Sequence, residues 1–291
     1  MPGMIPLGRG ATGTVYKVTD TMVVKVARKG VDEQNDHANE QRMFETIEKM
    51  IGGNFESIPY LIECHYRTPG YTFLQFASGG DFAMLLNQYQ KRDEQNRAIV
   101  LEVTQTLNPQ DIDRWMEQLC DVAAAFERLG LAHNDIRPGN MLLDAGRNLV
   151  LADLDRGTKV GEVIDVLTEP FGRLLNRSEG EGAGTYGKAG ARTEIFAIGS
   201  VFYSLLRGYE PYEMDWWGDD HFVSLNDKLQ RKSFPPLSES IEDNIIRKCW
   251  HGEYHQVKDL LNEVRGKNKS TRKIECEKLI ESGGISRLNC D

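Results

Sequence analysis

The stretch that most constrains this chain is a loop followed at a fixed interval by an acid. It reads His133-Asn134-Asp135-Ile136-Arg137-Pro138-Gly139-Asn140, then, thirteen residues beyond Asn140, Asp153 within Leu151-Ala152-Asp153-Leu154-Asp155. Pro138 and Gly139 work against a helix through the loop, while Asn148–Ala152 is a short apolar strand that delivers Asp153 at its end. Hard carboxylate and amide oxygens suit Mg²⁺, which keeps waters and takes further oxygens from its substrate. Asn140 and Asp153 can supply such oxygens. Asp135 is then left to orient a hydroxyl and accept its proton, and Arg137 to hold a transferring phosphoryl group. The competing reading is a polar turn between a helix and a hairpin.

A second constellation lies near the N-terminus. Leu7-Gly8-Arg9-Gly10-Ala11-Thr12-Gly13-Thr14-Val15 fits G-x-G-x-x-G-x-V. A dinucleotide fingerprint would open a helix after its glycines. Here β-branched runs follow at 14–18 and 22–26, so the glycines make a loop between strands, suited to covering phosphates. Lys25 sits mid-strand in Val23-Val24-Lys25-Val26. Fifteen residues on, Glu40 falls on the apolar face of a helix over 36–51 with Phe44, Ile47 and Ile51, ended by Gly52-Gly53. An acid on that face is costly unless paired, and Lys25 is the obvious partner.

Composition narrows the function classes. A formal net charge of −9 argues against a chain held to nucleic acid or anionic lipid by its overall field. No apolar run approaches the roughly 20 residues that span a bilayer, and the first residues are too polar and Gly-rich for a secretory signal. Five scattered cysteines without a C-x-x-C pair read as reduced cytoplasmic thiols rather than disulfides or a zinc site. The acidity is uneven. Residues 81–265 carry 21 basic and 31 acidic side chains, with Glu210, Glu213, Asp215, Asp219 and Asp220 close together. That favours partners with basic segments.

The rest of the chain supports a small β-rich part with one helix up to residue 77, then a larger helical part. Ser78-Gly79-Gly80-Asp81 marks the boundary, with Asp81 capping a helix from Phe82. Residues 90–108 read as a polar surface excursion. Pro109 and Asp111 start a strongly amphipathic helix through Phe126. Ile195–Leu206 reads as a buried helix, and 241–250 and 257–264 as two more. From Gly266 the chain reads as a Lys- and Ser-rich, loosely held tail.

These residues together resemble the eukaryotic protein kinase family over about residues 5–265. The Gly-rich loop, Lys25 in the position of the V-A-x-K lysine and Glu40 as its helix partner match. So do HNDIRPGN against H-R-D-x-K-P-x-N, and Asp153-Leu154-Asp155 against D-F-G. Thr193–Gly199 is similar to the S-D-V-W-S-x-G helix, and Cys249-Trp250 to the family's late C-W. The resemblance implies an α+β, two-lobed protein-kinase-like fold: N-lobe 1–77, C-lobe 78–265, tail 266–291. It implies an ATP- and Mg²⁺-dependent protein kinase, cytoplasmic and monomeric, acting on a protein substrate without nucleic acid or membrane. Pro138 leans toward Ser/Thr-type loops. Catalytic roles fall on Lys25, Glu40, Asp135 and Arg137, and metal binding on Asn140 and Asp153. Nucleotide contacts fall on Leu7, Gly8, Gly10, Gly13, Val15, Val23, Lys25, Gln75, Ala77 and Leu142. Phe44, His133 and Leu154 match members of the family's internal stack.

The chain also departs from that pattern. Asn134 replaces the Arg that pairs with a phosphorylated activation loop, which implies activity independent of that phosphorylation. Arg137 replaces Lys, Leu154-Asp155 replaces Phe-Gly, and Glu194 replaces an Asp one methylene shorter. A-P-E is not recognisable at 184–191, and its Arg partner is absent, with Tyr254 and His255 there instead. A pseudokinase acting as a nucleotide-binding or docking module is the alternative. A small-molecule phosphotransferase, which shares H-x-D-x-x-x-x-N, is a third.

Overall fold

The computed structural model describes residues 5–10 and 12–281. Its N-terminal region is a five-stranded antiparallel sheet in the order β1-β2-β3-β5-β4. The strands are β1 (Ile5–Arg9), β2 (Gly13–Lys17), β3 (Met22–Ala27), β4 (Cys64–Thr68) and β5 (Tyr71–Gln75). A single helix, α1 (Val31–Met50), packs against the sheet and stops where Gly52 and Gly53 take positive φ values of 61° and 79°. It starts five residues earlier than its apolar period, because its first turn lies at the surface and buries no side chain. Gly13 is required by proximity: a Cβ there would lie 2.8 Å from the Val26 carbonyl of β3.

The connection to the second region follows the sequence signals. Asp81 caps α2 (Phe82–Asn87), its carboxylate accepting from the Met84 N–H at 2.7 Å. Gly79 runs so close to the strand β9 (Met141–Leu143) that a Cβ would stand 2.6 Å from that of Leu143. The stretch expected as a polar surface excursion contains a small hairpin, β6 (Gln90–Arg92) with β7 (Val100–Val103). Val100 is buried and Arg92 pairs with Glu213. Strands of three and four residues are too short to display a period in the sequence.

The helical core forms around α3 (Pro109–Arg128), whose N-terminus is capped by Asn108. Its Trp115, Met116, Leu119 and Val122 are fully buried. Against it lie α4 (Ala191–Arg207) and α7 (Val257–Glu281); α6 (Ile241–His251) packs on those two, with α5 (His221–Gln230) to one side. Short strands β8 (Leu131–Ala132), β10 (Leu149–Leu151) and β11 (Thr158–Lys159) frame the loop carrying Asp135. As expected, α4 is buried on nearly every side.

The C-terminal stretch departs from the expectation of a loose tail: α7 continues through Gly266 to Glu281. Its buried apolar residues end at Val264, and Ile274 and Ile280 beyond it are exposed, which is why the sequence period fades there. Ionic contacts to α3, and one to α6, take over. Arg265 pairs with Glu117 and Asp121, and Lys267 with Asp113 and Glu242. Asn268 donates to the Asp113 carbonyl at 2.9 Å and to Glu117 at 3.0 Å. Part of the chain's uneven acidity is thus spent internally. Lys267 is buried between two carboxylates, so Lys267→Ala is expected to lower the unfolding free energy by about 2–4 kcal/mol in urea titration. A loss below about 0.5 kcal/mol, typical of surface changes, would contradict this packing.

Candidate active site

The sheet register brings the first group together. Lys25 on β3 lies opposite Thr72 on β5, so both side chains share the face that α1 covers. Lys25 is buried and its Nζ donates to Glu40 Oε1 of α1 at 3.1 Å and to Asp153 Oδ1 at 2.6 Å. Burial opposes the ammonium charge, but the two carboxylates outweigh it and raise the Lys25 pKa. Asp153, also opposed by burial, is held low by Lys25. The pair expected from the sequence is present, and Asp153 joins it. Asp153 itself sits in the left-handed region at φ 67°, ψ 76°, a costly conformation for a non-glycine residue and one that aims its carboxylate back toward β3.

A cleft of about 400 Å³ opens between the sheet and the helical region. Leu7, Gly8, Gly10, Gly13, Val15, Val23, Lys25, Gln75, Ala77 and Leu142 all line it, as do Glu40, Asn140 and Asp153. Gly10 closes the turn between β1 and β2 by donating to the Gly13 carbonyl at 2.9 Å. Ile62, Leu74, Phe76, Met84 and Ala152 add apolar wall. Asp135 and Arg137 lie outside that lining, just past Gly139 and Asn140.

The loop holding Asp135 is fixed from several sides. Asp135 Oδ2 accepts from Asn140 Nδ2 at 2.6 Å and from Arg137 Nε at 3.0 Å. Its Oδ1 accepts from the Thr168 hydroxyl at 3.0 Å. Thr168 is not among the site residues expected from the sequence, because a contact across 33 residues leaves no local signal. His133 bonds the Ala152 carbonyl at 3.1 Å, tying the loop to the strand before Asp153. Beneath it, the longer acid Glu194 still accepts from the backbone N–H groups of His133 at 2.8 Å and Asn134 at 3.0 Å. Burial pushes its carboxyl up to about 7 against those two bonds. Phe44, His133 and Leu154 are all buried.

The donor set fits a hard cation. Asn140 uses its amide nitrogen on Asp135, at the carbonyl (2.8 Å) and Oδ2, which leaves its Oδ1 as an available acceptor. Asp153 uses Oδ1 on Lys25, which leaves Oδ2. Two oxygens from one amide and one carboxylate, completed by substrate and water, are what Mg²⁺ accepts. No cluster of three or more His, Cys, Asp or Glu side chains suited to a metal occurs among the described residues, so the substrate would have to complete the shell.

The segment after Asp153 is ordered by amide hydrogen bonds and one ion pair. Asn39 on α1 donates to the carbonyls of Asp155 at 2.7 Å and Gly157 at 3.1 Å. Asn134 Nδ2 donates to the Arg156 carbonyl and the Thr158 hydroxyl, and Arg156 pairs with Asp36 at 3.4 Å. Further on, Arg173, buried, holds Glu179 with two bonds, and Lys232 adds a third contact at 3.1 Å. Tyr254 bonds Glu263, which Lys248 also engages.

The chain matches the protein kinase domain over residues 4–281 and belongs to that family. Its curated relatives are distant. It is 23% identical to the calcium/calmodulin-dependent protein kinase cmkA of Emericella nidulans, across 94% of this chain and 68% of that protein. It is 25% identical to CBL-interacting protein kinase 24 of rice, Oryza sativa, across 58% of this chain and 32% of that protein. Identity is 22% to the serine/threonine-protein kinase KIN4 of Saccharomyces cerevisiae, across 79% of this chain and 26% of that protein. The chain therefore spans about two thirds of the first relative and about a third or less of the other two. No helix among the described residues is long and apolar enough to cross a membrane.

Asp155, where the family has glycine, is buried, and burial together with the Asp153 carboxylate pushes its carboxyl up to about 7. The folded value lies above the unfolded one, so the fold binds that proton more tightly than the unfolded chain. The resulting destabilisation is absent below about pH 4 and grows as pH rises to about 7. Asp155→Asn is expected to raise stability by about 1–3 kcal/mol at about pH 8 and to change it little near pH 4. Thermal unfolding at the two pH values checks this; equal effects at both would show that the gain is not electrostatic.

Proposed function

We propose that the chain is a Ser/Thr-type protein kinase that transfers the γ-phosphoryl group of Mg-ATP to a protein hydroxyl. The two lobes of the catalytic domain would meet at residues 77 and 78. The observation that carries this reading is the set Lys25, Glu40, Asp135, Asn140 and Asp153, each joined to another of the set by a direct hydrogen bond. A nucleotide-binding shell with a vestigial loop would not need Asp135 to be held by three donors.

In this reading the base packs between Val15, Val23 and Leu142, with Gln75 and Ala77 at the adenine edge, and Leu7, Gly8, Gly10 and Gly13 cover the phosphates. Lys25, held charged by Glu40 and Asp153, contacts phosphate oxygens. Asn140 Oδ1 and Asp153 Oδ2 would hold Mg²⁺, which would neutralise charge on the phosphates. Asp135 orients the substrate hydroxyl and takes its proton, with Thr168 and Asn140 fixing the carboxylate. Arg137 steadies the transferred group through its planar guanidinium. Distant Ser/Thr kinase relatives support the choice of hydroxyl.

Asp135→Asn is expected to reduce phosphate transfer to generic protein substrates by at least about a hundredfold. A wild-type chain that binds Mg-ATP in a thermal-shift assay yet transfers nothing would favour the docking-module reading. Because Asn134, Asn39 and the Asp36–Arg156 pair already order the segment after Asp153, pretreatment with a phosphatase should leave the rate within about twofold. A loss beyond about tenfold would overturn that independence. Asp215, Asp219 and Asp220 are exposed and form no ion pair among the described residues, which supports a preference for basic peptides. Peptide competition checks it: equal rates on acidic and basic peptides would remove it.

A further inference from the structure

Beside the Lys25–Glu40 pair lies a buried polar group that the reaction as described does not use. His37 is one turn before Glu40 on α1 and only 2% exposed. Its Nδ1 lies 3.8 Å from Glu40 Oε2, and neither atom has a hydrogen-bond partner among the described residues. Its Nε2 lies 3.3 Å from the Thr72 hydroxyl and 3.2 Å from Gln41 Nε2.

Counting protons fixes the tautomer. Gln41 Nε2 has two hydrogens and reaches the carbonyls of Thr68 and Tyr71, each at 3.0 Å. Thr72 is fully buried, and the groups within reach of its hydroxyl are Gln41 Nε2, a donor only, and His37 Nε2. The Thr72 proton therefore goes to His37 Nε2, which must be an acceptor. A neutral imidazole with an accepting Nε2 carries its proton on Nδ1, facing Glu40. Burial and the Lys25 ammonium both disfavour the charged ring. The charged groups around the ring are Lys25 from β3, Glu40 on α1 itself and, beyond Lys25, Asp153.

We propose that His37 is a positioning residue: as the neutral Nδ1–H tautomer it donates to Glu40 Oε2 and leaves Oε1 facing Lys25. Closing the gap takes less than about 1 Å, to an ordinary N–H···O length. A neutral donor steadies the carboxylate without competing with Lys25 as a second cation would. Thr72 and Gln41 act through it by fixing the ring. This inference rests on the kinase reading for its consequence, but not for its geometry.

The test has two arms on the full chain. Two-bond proton–nitrogen spectra of protein labelled at histidine nitrogens should show His37 with Nδ1 protonated and Nε2 bare from about pH 6 to about pH 8. An Nε2–H pattern, or an imidazolium in that range, overturns the proposal. In the second arm, asparagine places its amide nitrogen where Nδ1 stands, and glutamine where Nε2 stands. His37→Asn should keep kcat within about threefold, while His37→Gln and His37→Leu, still folded by thermal shift, should lose about tenfold. Equal losses for Asn and Gln would sink the proposal. A chain that transfers no phosphate but shows the Nδ1–H spectrum would remove the kinase reading and leave the hydrogen bond standing.

Discussion

The Lys25 ammonium, buried between the carboxylates of Glu40 and Asp153, is the interaction on which the rest of the structure depends. It links three elements far apart in sequence: a central strand of the sheet, the one helix packed on that sheet, and the turn after β10. A buried charge with one partner removed is strongly destabilising, so each carboxylate is held in place by the same ion that it stabilises. α1 carries a second tie on the adjacent residue, since Asn39 bonds the backbone just after Asp153. Rotation of α1 would break the ionic and the amide contacts together. The helix and the segment after Asp153 therefore form one unit.

Much of this was legible in the sequence, for identifiable reasons. Lys25 and Glu40 could be paired because an acid on the apolar face of a helix demands a cation. The strands around the Gly-rich loop were legible because β-branched runs alternate there, and α3 because its apolar stripe is continuous from Ile112 to Phe126. Asp81 and Asn108 announced helix starts through capping chemistry that acts within a few residues. Each of these signals is local.

What escaped was contact over long separations or without apolar period. Thr168 reaching Asp135, and the Arg173–Glu179 pair, leave no spacing rule behind. The hairpin of β6 and β7 is too short to alternate visibly. The second half of α7 was misread because its packing is ionic, and a stripe of lysines and an asparagine looks like solvent-facing chain until its acidic partners on α3 are known. His37 was invisible for another reason: its position matters only because Thr72 sits across the strand from Lys25.

The junction of α3 with α7 also bears on the order in which the chain assembles. Glu127 on α3 caps the backbone N–H of Val257 across 130 residues, and Lys267 reaches Asp113 across 154. Val257, Leu260, Leu261 and Val264 belong to the same core as α3. Contacts of such separation close late, because loop entropy must be overcome before they reward the chain. During synthesis α3 emerges long before its partner, with an apolar face that has nothing yet to cover it. The helical region therefore remains open, and exposed to aggregation, until α7 has left the ribosome.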